Sequence, residues 1–197
     1  MFDTKPHPRR ASHLVFLSAV LLALSLSVSS AAQMAAKTAN SAHDFSLPAI
    51  DGGTLDLAQF KGKTILLVNT ASYCGFTKQY DGLQKLWEDK RAAGLVVLGV
   101  PSNDFGAQEP GSKEKIKEFC QVNFAIDFPM SDKLVVRGPS AHPLYQWLAG
   151  ETGATPKWNF YKFLIDGAGR PVTYFSSMTA PQSKRLIKAI DASLAAQ

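Results

Sequence analysis

Two continuous apolar runs constrain the fold of this chain more than any other feature of its sequence. Residues 64–69 (TILLVN) and 95–100 (LVVLGV) are almost wholly apolar, which is typical of strands that are buried on both faces. Between the runs, apolar residues recur at helical spacing and a glycine closes the pattern: Tyr80, Leu83, Leu86, Trp87 and Gly94. The sequence therefore predicts a β-α-β unit at the start of the domain.

The second half of the chain predicts further helices and a hairpin. Residues 163–166 and 172–175 flank a short glycine-rich turn, which indicates a β-hairpin. Residues 54–57 follow an Asp-Gly-Gly turn and predict a short edge strand. Three helices are predicted from capping residues and apolar faces: 112–122, 142–148 and 181–195. The order of elements predicts an α/β fold, a central mixed sheet flanked by helices.

The first residues have the pattern of a secretory signal peptide. A positive segment with Lys5, Arg9 and Arg10 precedes an apolar run over residues 14–26, and small residues follow. A membrane anchor is the alternative, but the run is shorter than the roughly 20 residues that span a bilayer. We expect an exported protein, periplasmic or secreted, with no stable membrane anchor. Its expected divisions are a cleaved signal (1–32), a polar linker (33–42) and one folded domain (43–197).

Composition and charge exclude several classes of function. Two cysteines in 197 residues are too few for a disulfide-stapled miniprotein or a four-thiolate metal site. The formal net charge of +5 is scattered along the chain, so no nucleic-acid stripe is predicted. The four histidines lack the spacing of a metal or haem site, and we expect neither a metal nor a cofactor. His142, before a proline, is interpreted as a helix-start residue.

Cys74 lies between the first buried strand and the helix after it, a position that favours a reactive thiol. Unpaired N–H groups at a helix N-terminus stabilise the thiolate, which is the nucleophilic form of cysteine. A dithiol exchange site would need a second cysteine where this chain has Thr77. From topology alone, a reactive thiol and a small buried cysteine are equally consistent with the sequence.

The segments around Cys74 resemble the glutathione peroxidase family, in its cysteine-containing, thioredoxin-dependent type. Five motifs in the family's order carry the resemblance: NTASYCGFT (69–77), GLVVLGVPSNDFGAQEP (94–110), FPMSDK (128–133), AHPLY (141–145) and WNFYKFLI (158–165). They span nearly all of the chain that follows the signal. The resemblance implies a thioredoxin-like fold. It also implies a thiol peroxidase that reduces hydrogen peroxide and organic or lipid hydroperoxides.

The resemblance also implies a role for each site residue. Cys74 matches the family's peroxidatic cysteine, and three residues match its supporting hydrogen-bond donors: Gln108, Trp158 and Asn159. Amide and indole N–H groups can donate to a thiolate and to a departing oxygen without ionising. Cys120 matches the resolving cysteine, which would attack the Cys74 sulfenic acid and form a redox-active disulfide.

Other interpretations of the two thiols stay open. Cys120 is alternatively an inert core residue, or it forms a permanent structural disulfide with Cys74 during export. A permanent disulfide would leave no thiolate, and the chain would then be a non-catalytic domain. A thiol–disulfide exchange factor on the same fold is a further alternative, against which Thr77 argues.

The chain departs from the family at several positions. Asp104 introduces a carboxylate that would disfavour the thiolate if it pointed at Cys74. The arginines that hold glutathione in vertebrate members have no counterparts, and Gln79 stands at one of those positions. We therefore expect a thioredoxin-like protein rather than glutathione as the external reductant. The long insertion of tetrameric members is absent before Trp158, which favours a monomer with an open cleft.

Overall fold

The computed structural model describes residues 39–197. The predicted signal peptide and most of the predicted linker lie outside this range. The first regular element among these residues is a short 3-10 helix at Ala42–Asp44, which the Ser41 hydroxyl caps, and Ala42 is fully buried. Within the described range, no helix is long and apolar enough to cross a membrane.

A mixed sheet of four strands forms the centre of the domain. The strands of the described range are β1 (Ser46–Pro48), β2 (Thr54–Asp56), β3 (Thr64–Thr70), β4 (Leu95–Pro101), β5 (Lys162–Ile165) and β6 (Pro171–Phe175). The central sheet has the order β4-β3-β5-β6, in which β3 runs parallel to β4 and antiparallel to β5. The antiparallel β5–β6 pair confirms the predicted hairpin. The predicted edge strand forms too, but it pairs with β1 in a separate sheet of two strands.

Between residues 39 and 197, four α-helices pack on the two faces of this sheet: α1 (Gln79–Lys90), α2 (Lys113–Phe124), α3 (Pro143–Thr152) and α4 (Lys184–Ala195). Every residue of β3 and β4 is buried, as their apolar runs predict. Successive side chains of each strand point to opposite faces of the sheet and belong to two hydrophobic clusters. One cluster packs against α3, and the other packs against α1, α2 and α4. The β-α-β unit and the helices are confirmed, although α3 ends later and α4 begins later than predicted.

Helix ends follow from local sequence. Gly94 closes the segment after α1 with φ of 101°, a left-handed conformation that glycine adopts without strain. The His142 side chain accepts a hydrogen bond from the Leu144 N–H at 3.3 Å, and Pro143 occupies the first turn of α3. The interpretation of His142 as a helix-start residue is confirmed.

Three loops meet where β3 ends and β5 begins. The Ser102 N–H, after β4, donates to the Thr70 carbonyl at 3.0 Å. The Phe160 N–H, before β5, donates to the Asn69 carbonyl at 2.6 Å. Because β3 and β4 are parallel and β5 runs the opposite way, these three chain segments lie at one edge of the sheet. Cys74 follows β3 at this edge.

Candidate active site

Hydrogen bonds within the turn after β3 fix the backbone of Cys74. The Thr77 hydroxyl accepts a hydrogen bond from the Cys74 N–H at 3.0 Å and donates to the Ala71 carbonyl at 2.9 Å. The Phe76 N–H points at the Cys74 Sγ, with a nitrogen–sulfur distance of 3.4 Å. The thiol is partly exposed. The turn thus presents an accessible sulfur with a backbone donor directed at it.

The donor to this sulfur differs from the one that the sequence predicts. Helix α1 begins only at Gln79, and Lys78 is its N-cap, so Cys74 does not occupy the helix N-terminus. The polypeptide makes a series of turns between Cys74 and Gln79, in which the Thr77 N–H donates to the Cys74 carbonyl at 3.0 Å. The N–H that meets the sulfur therefore comes from a tight turn and not from a free helix end.

Gln108 and Asn159 form an amide pair beside this turn. The Asn159 Nδ2 donates to the Gln108 Oε1 at 3.0 Å, which leaves the Gln108 N–H donors for another acceptor. The main-chain carbonyl of Gln108 accepts a hydrogen bond from the N–H of Tyr73 at 3.1 Å, and Tyr73 directly precedes Cys74. Asn159 is fully buried, and its Oδ1 has no partner among the described residues. The structure thus joins two of the predicted donors to the cysteine turn.

Trp158 lies at the exposed side of the same group. Its side chain is 40% exposed, and its ring centroid lies 5.9 Å from that of Phe105. The Trp158 carbonyl accepts from the Asn69 side chain at 3.1 Å, which ties this residue to the end of β3. Tyr73, at 67% exposed, adds a second aromatic surface next to Cys74. The site is therefore polar at its centre and aromatic at its rim.

Cys120 occupies a different environment, in the core on α2. It is a free thiol, as is Cys74, and no bond joins the two sulfurs. Burial raises the pKa of the Cys120 thiol to about 11; the neighbouring Tyr80 hydroxyl opposes this rise, and the nearby Glu109 carboxylate adds to it. Cys120 is therefore a protonated, unreactive thiol in this conformation.

Asp104 points away from the cysteine turn. Its Oδ2 accepts backbone N–H bonds from Val136 at 2.7 Å and from Arg137 at 3.3 Å. The Arg137 side chain donates to the Asp104 carbonyl at 2.8 Å. The carboxylate thus fastens a neighbouring loop, and these bonds account for Asp104 without a role at the Cys74 sulfur.

Two buried ionisable residues beside the site were not predicted from the sequence. Glu109 is 1% exposed and accepts a hydrogen bond from the Ser72 hydroxyl at 3.1 Å. Burial raises the pKa of its carboxyl to about 7, although Ser72 and Lys133 both act to lower it. Lys162 is fully buried in β5, and burial lowers its pKa to about 7. A charge inside the otherwise apolar run around β5 is the sequence signal that marks Lys162.

A cleft of about 240 Å³ separates the cysteine turn from α2. Its walls come from three segments: Ser72, Tyr73, Glu109, Pro110, Gly111, Lys115, Ile116 and Phe119. The Tyr73 and Phe119 rings approach across it, with centroids 5.9 Å apart. The turn with Cys74 and the helix with Cys120 are therefore neighbouring but separate parts of the molecule.

The fold and the site define a thiol enzyme built on a thioredoxin-like fold. The same fold occurs in a thioredoxin-family thiol:disulfide interchange protein from Chlorobium tepidum TLS, at 18% identity and a TM-score of 0.58. Residues 42–149 match the family model described as glutathione peroxidase. The chain belongs to the glutathione peroxidase family.

Relatives and solved structures agree with this assignment. Hydroperoxy fatty acid reductase gpx1 of Synechocystis sp. is 44% identical over 161 residues, 75% of this chain and 94% of the relative. Glutathione peroxidase-like peroxiredoxin 2 of Saccharomyces cerevisiae is 47% identical over 137 residues, 67% and 85% of the two chains. The crystal structure of T. cruzi GPX1 superposes with a TM-score of 0.63 at 34% identity, covering 79% of this chain and 97% of that one. The protein is a thiol peroxidase that reduces hydroperoxides.

Proposed function

We propose that Cys74 is the peroxidatic thiol of this enzyme and that Cys120 resolves the oxidised form. The Cys74 thiolate attacks one oxygen of the peroxide, a sulfur–oxygen bond forms, and the O–O bond breaks. Cys74 is thereby oxidised to a sulfenic acid, and the departing oxygen takes a proton and leaves as an alcohol or water. Cys120 then attacks the sulfenic sulfur, which releases water and leaves a disulfide.

The arrangement around Cys74 is the observation that carries this proposal. Its sulfur is accessible and receives the Phe76 N–H, while Gln108 and Asn159 are joined to each other and to the adjacent residue Tyr73. Neutral donors fixed in place before the reaction can stabilise charge as it develops on sulfur and on the departing oxygen. Trp158 offers an indole N–H at the exposed side of the same group.

The resolving step requires α2 to open. Cys120 is buried, with its pKa raised by burial, and it belongs to an intact helix. Because the Cys120 thiol is buried in this helix, α2 must loosen before the Cys74 sulfur can reach it and a disulfide of ordinary geometry can form. Once α2 loosens, water reaches the Cys120 thiol and the effect of burial on its pKa disappears.

Three further features of the function rest on the chain as a whole. The absence of basic counterparts for glutathione, together with relatives named as peroxiredoxins, supports a thioredoxin-like reductant. The exposed rings of Tyr73 and Trp158 suit organic or lipid hydroperoxides as well as hydrogen peroxide. We propose an exported monomer that contains no cofactor and is regenerated by its external reductant alone.

The decisive experiment titrates the reduced domain with hydrogen peroxide and follows intact mass and thiol count. One equivalent should remove both thiols and two hydrogens from the wild-type protein. The Cys74→Ser variant should retain its remaining thiol, since nothing then attacks the peroxide. The Cys120→Ser variant should stop at the sulfenic acid or oxidise further.

The alternatives are distinguished by this titration together with reduction of the product by thioredoxin or glutathione. Two thiols that stay unmodified in the wild-type protein would refute Cys74 as the peroxidatic residue. A disulfide that forms in air and resists reduction by thioredoxin would instead identify a structural bridge. Turnover with glutathione but not with thioredoxin would overturn the proposed reductant while leaving the thiol chemistry intact.

A further inference from the structure

Lys162 is a buried amine in a strand that otherwise carries apolar side chains. It lies in β5 opposite Val68 of β3 and Phe175 of β6, and its side chain is 0% exposed. Burial of an ammonium group is costly unless its N–H groups are bonded. An apolar side chain would fill this position without that cost, so the contacts of the Lys162 amine need an explanation.

The Lys162 amine joins two segments that flank the proposed catalytic group. Its Nζ donates to the Gln79 Oε1 at 2.7 Å and to the Phe160 carbonyl at 2.8 Å. Gln79 is the first residue of α1, the helix that follows the Cys74 turn, and its Nε2 donates to the Ser177 carbonyl at 2.6 Å. Phe160 directly follows Asn159. One side chain thus links the cysteine side of the site to the donor side.

The hydrogen bond from Lys162 to the Phe160 carbonyl meets the backbone at a strained position. Phe160 has φ of 62°, a left-handed conformation that is unfavourable for a bulky aromatic residue. Two hydrogen bonds hold it there: its N–H donates to the Asn69 carbonyl at 2.6 Å, and its own carbonyl accepts from Lys162. The direction in which the Trp158–Asn159 pair enters the site depends on this turn, because both residues directly precede Phe160.

These contacts do not depend on the charge of Lys162. The ammonium form has three N–H donors and the neutral amine has two, and the structure gives the amine two acceptors. Both forms can therefore hold Gln79 and Phe160 together. A methionine of similar length can fill the space but can donate neither bond.

We propose that Lys162 is a positioning residue of the peroxidase site. It fixes the Trp158–Asn159 turn against the start of α1, the helix that follows the Cys74 turn. This inference rests on the proposed role of Cys74. Lys162 acts through Gln79 and Phe160, whose oxygen atoms accept the two hydrogen bonds of its amine. Its removal should impair the reaction with peroxide more than the reactivity of the thiol itself, because Trp158 and Asn159 are proposed to assist the departing oxygen.

The test compares two reactions of the same thiol. In a Cys120→Ser parent, Cys74 is the only thiol, and its second-order rate constants are measured with hydrogen peroxide and with iodoacetamide. Lys162→Met should lower the peroxide rate constant about 10- to 100-fold, since a misplacement of about 1 Å can cost about 100-fold. The iodoacetamide rate constant should fall much less, because alkylation breaks no O–O bond and needs no donor at a departing oxygen.

Lys90→Met provides the matched control. Lys90, at the other end of α1, pairs with Asp191 at 2.6 Å, and its loss should leave both rate constants unchanged. If Lys162→Met fails to fold, Gln79→Met removes one of the two contacts and should lower the peroxide rate constant about 2- to 10-fold, the equivalent of one hydrogen bond.

Three outcomes would count against the inference or its basis. An unchanged peroxide rate constant in the folded Lys162→Met variant would overturn the positioning role. An equal loss in both reactions would do so too, because it would indicate general damage to the cysteine turn. A parent protein whose Cys74 ignores peroxide would refute the proposed function itself, and this result is read before any lysine variant is made.

Discussion

Glu109 carries a buried carboxyl group beside the cysteine turn, and its burial makes the stability of the protein depend on pH. The pKa of this carboxyl is about 7 in the folded protein, against an ordinary value of 4.5. Between these two pH values the folded state keeps a proton that the unfolded chain has lost. The contribution of this bound proton to the free energy of unfolding is therefore complete below pH 4.5, and it is lost as the pH rises through 7.

The size of the effect follows from the same two values. Each pH unit of difference corresponds to about 1.4 kcal/mol, so the free energy of unfolding should fall by roughly 3 kcal/mol across this range. Glutamine is neutral at every pH and keeps a carbonyl oxygen for the Ser72 hydroxyl. Glu109→Gln should therefore remove this fall and gain stability relative to the wild type as the pH rises.

Urea unfolding at several pH values between 4.5 and 8 measures the prediction for Glu109. The useful quantity is the difference in free energy of unfolding between wild type and Glu109→Gln, because contributions from other groups cancel. Glu114→Gln is the matched control: this residue is exposed, and hydrogen bonds to its own backbone N–H and to Ser112 lower the pKa of its carboxyl. A difference for Glu109→Gln that does not vary with pH would refute the reasoning from burial.

Two further substitutions test the cysteine turn and the helix with Cys120. Ala125 ends α2 with φ of 50° and is exposed, so Ala125→Gly should stabilise the protein by about 1 kcal/mol in urea unfolding. The more stable helix end should also slow disulfide formation by Cys120. Faster disulfide formation would contradict the opening of α2. Thr77→Val removes the hydroxyl that bonds the Cys74 N–H, and should cost about 1–3 kcal/mol and slow the peroxide reaction. An unchanged melting temperature and rate would show that this hydroxyl does not hold the turn.

The elements of the fold could be predicted because their signals are local. The apolar runs that became β3 and β4 are buried at every position, and apolar residues at helical spacing predict α1. The motif segments also carry the proposed site, since Gln108 and Asn159 prove to be bonded to each other. The setting of Cys74 was predicted less accurately: Cys74 does not lie at the N-terminus of α1, which begins at Gln79, because turns held by Thr77 occupy the segment between them.

The partners of polar side chains could not be predicted in the same way. Asp104 is a carboxylate near the site in sequence, yet its bonds go to Val136 and Arg137 in another loop. Lys162 and Gln79 are separated by 83 positions and meet only because β5 passes beside the start of α1. No local pattern encodes such a meeting, which depends on how the elements pack.

The sequence by itself determined the order of strands and helices, the two thiols and the motifs of a peroxidase, because each is written in neighbouring residues. The tertiary structure alone decided which polar side chains are buried and which groups they bond. Burial is a property of the assembled core, and it gives Glu109, Cys120 and Lys162 pKa values far from those of the free side chains. The chemistry available to this protein is therefore set by packing as much as by residue type.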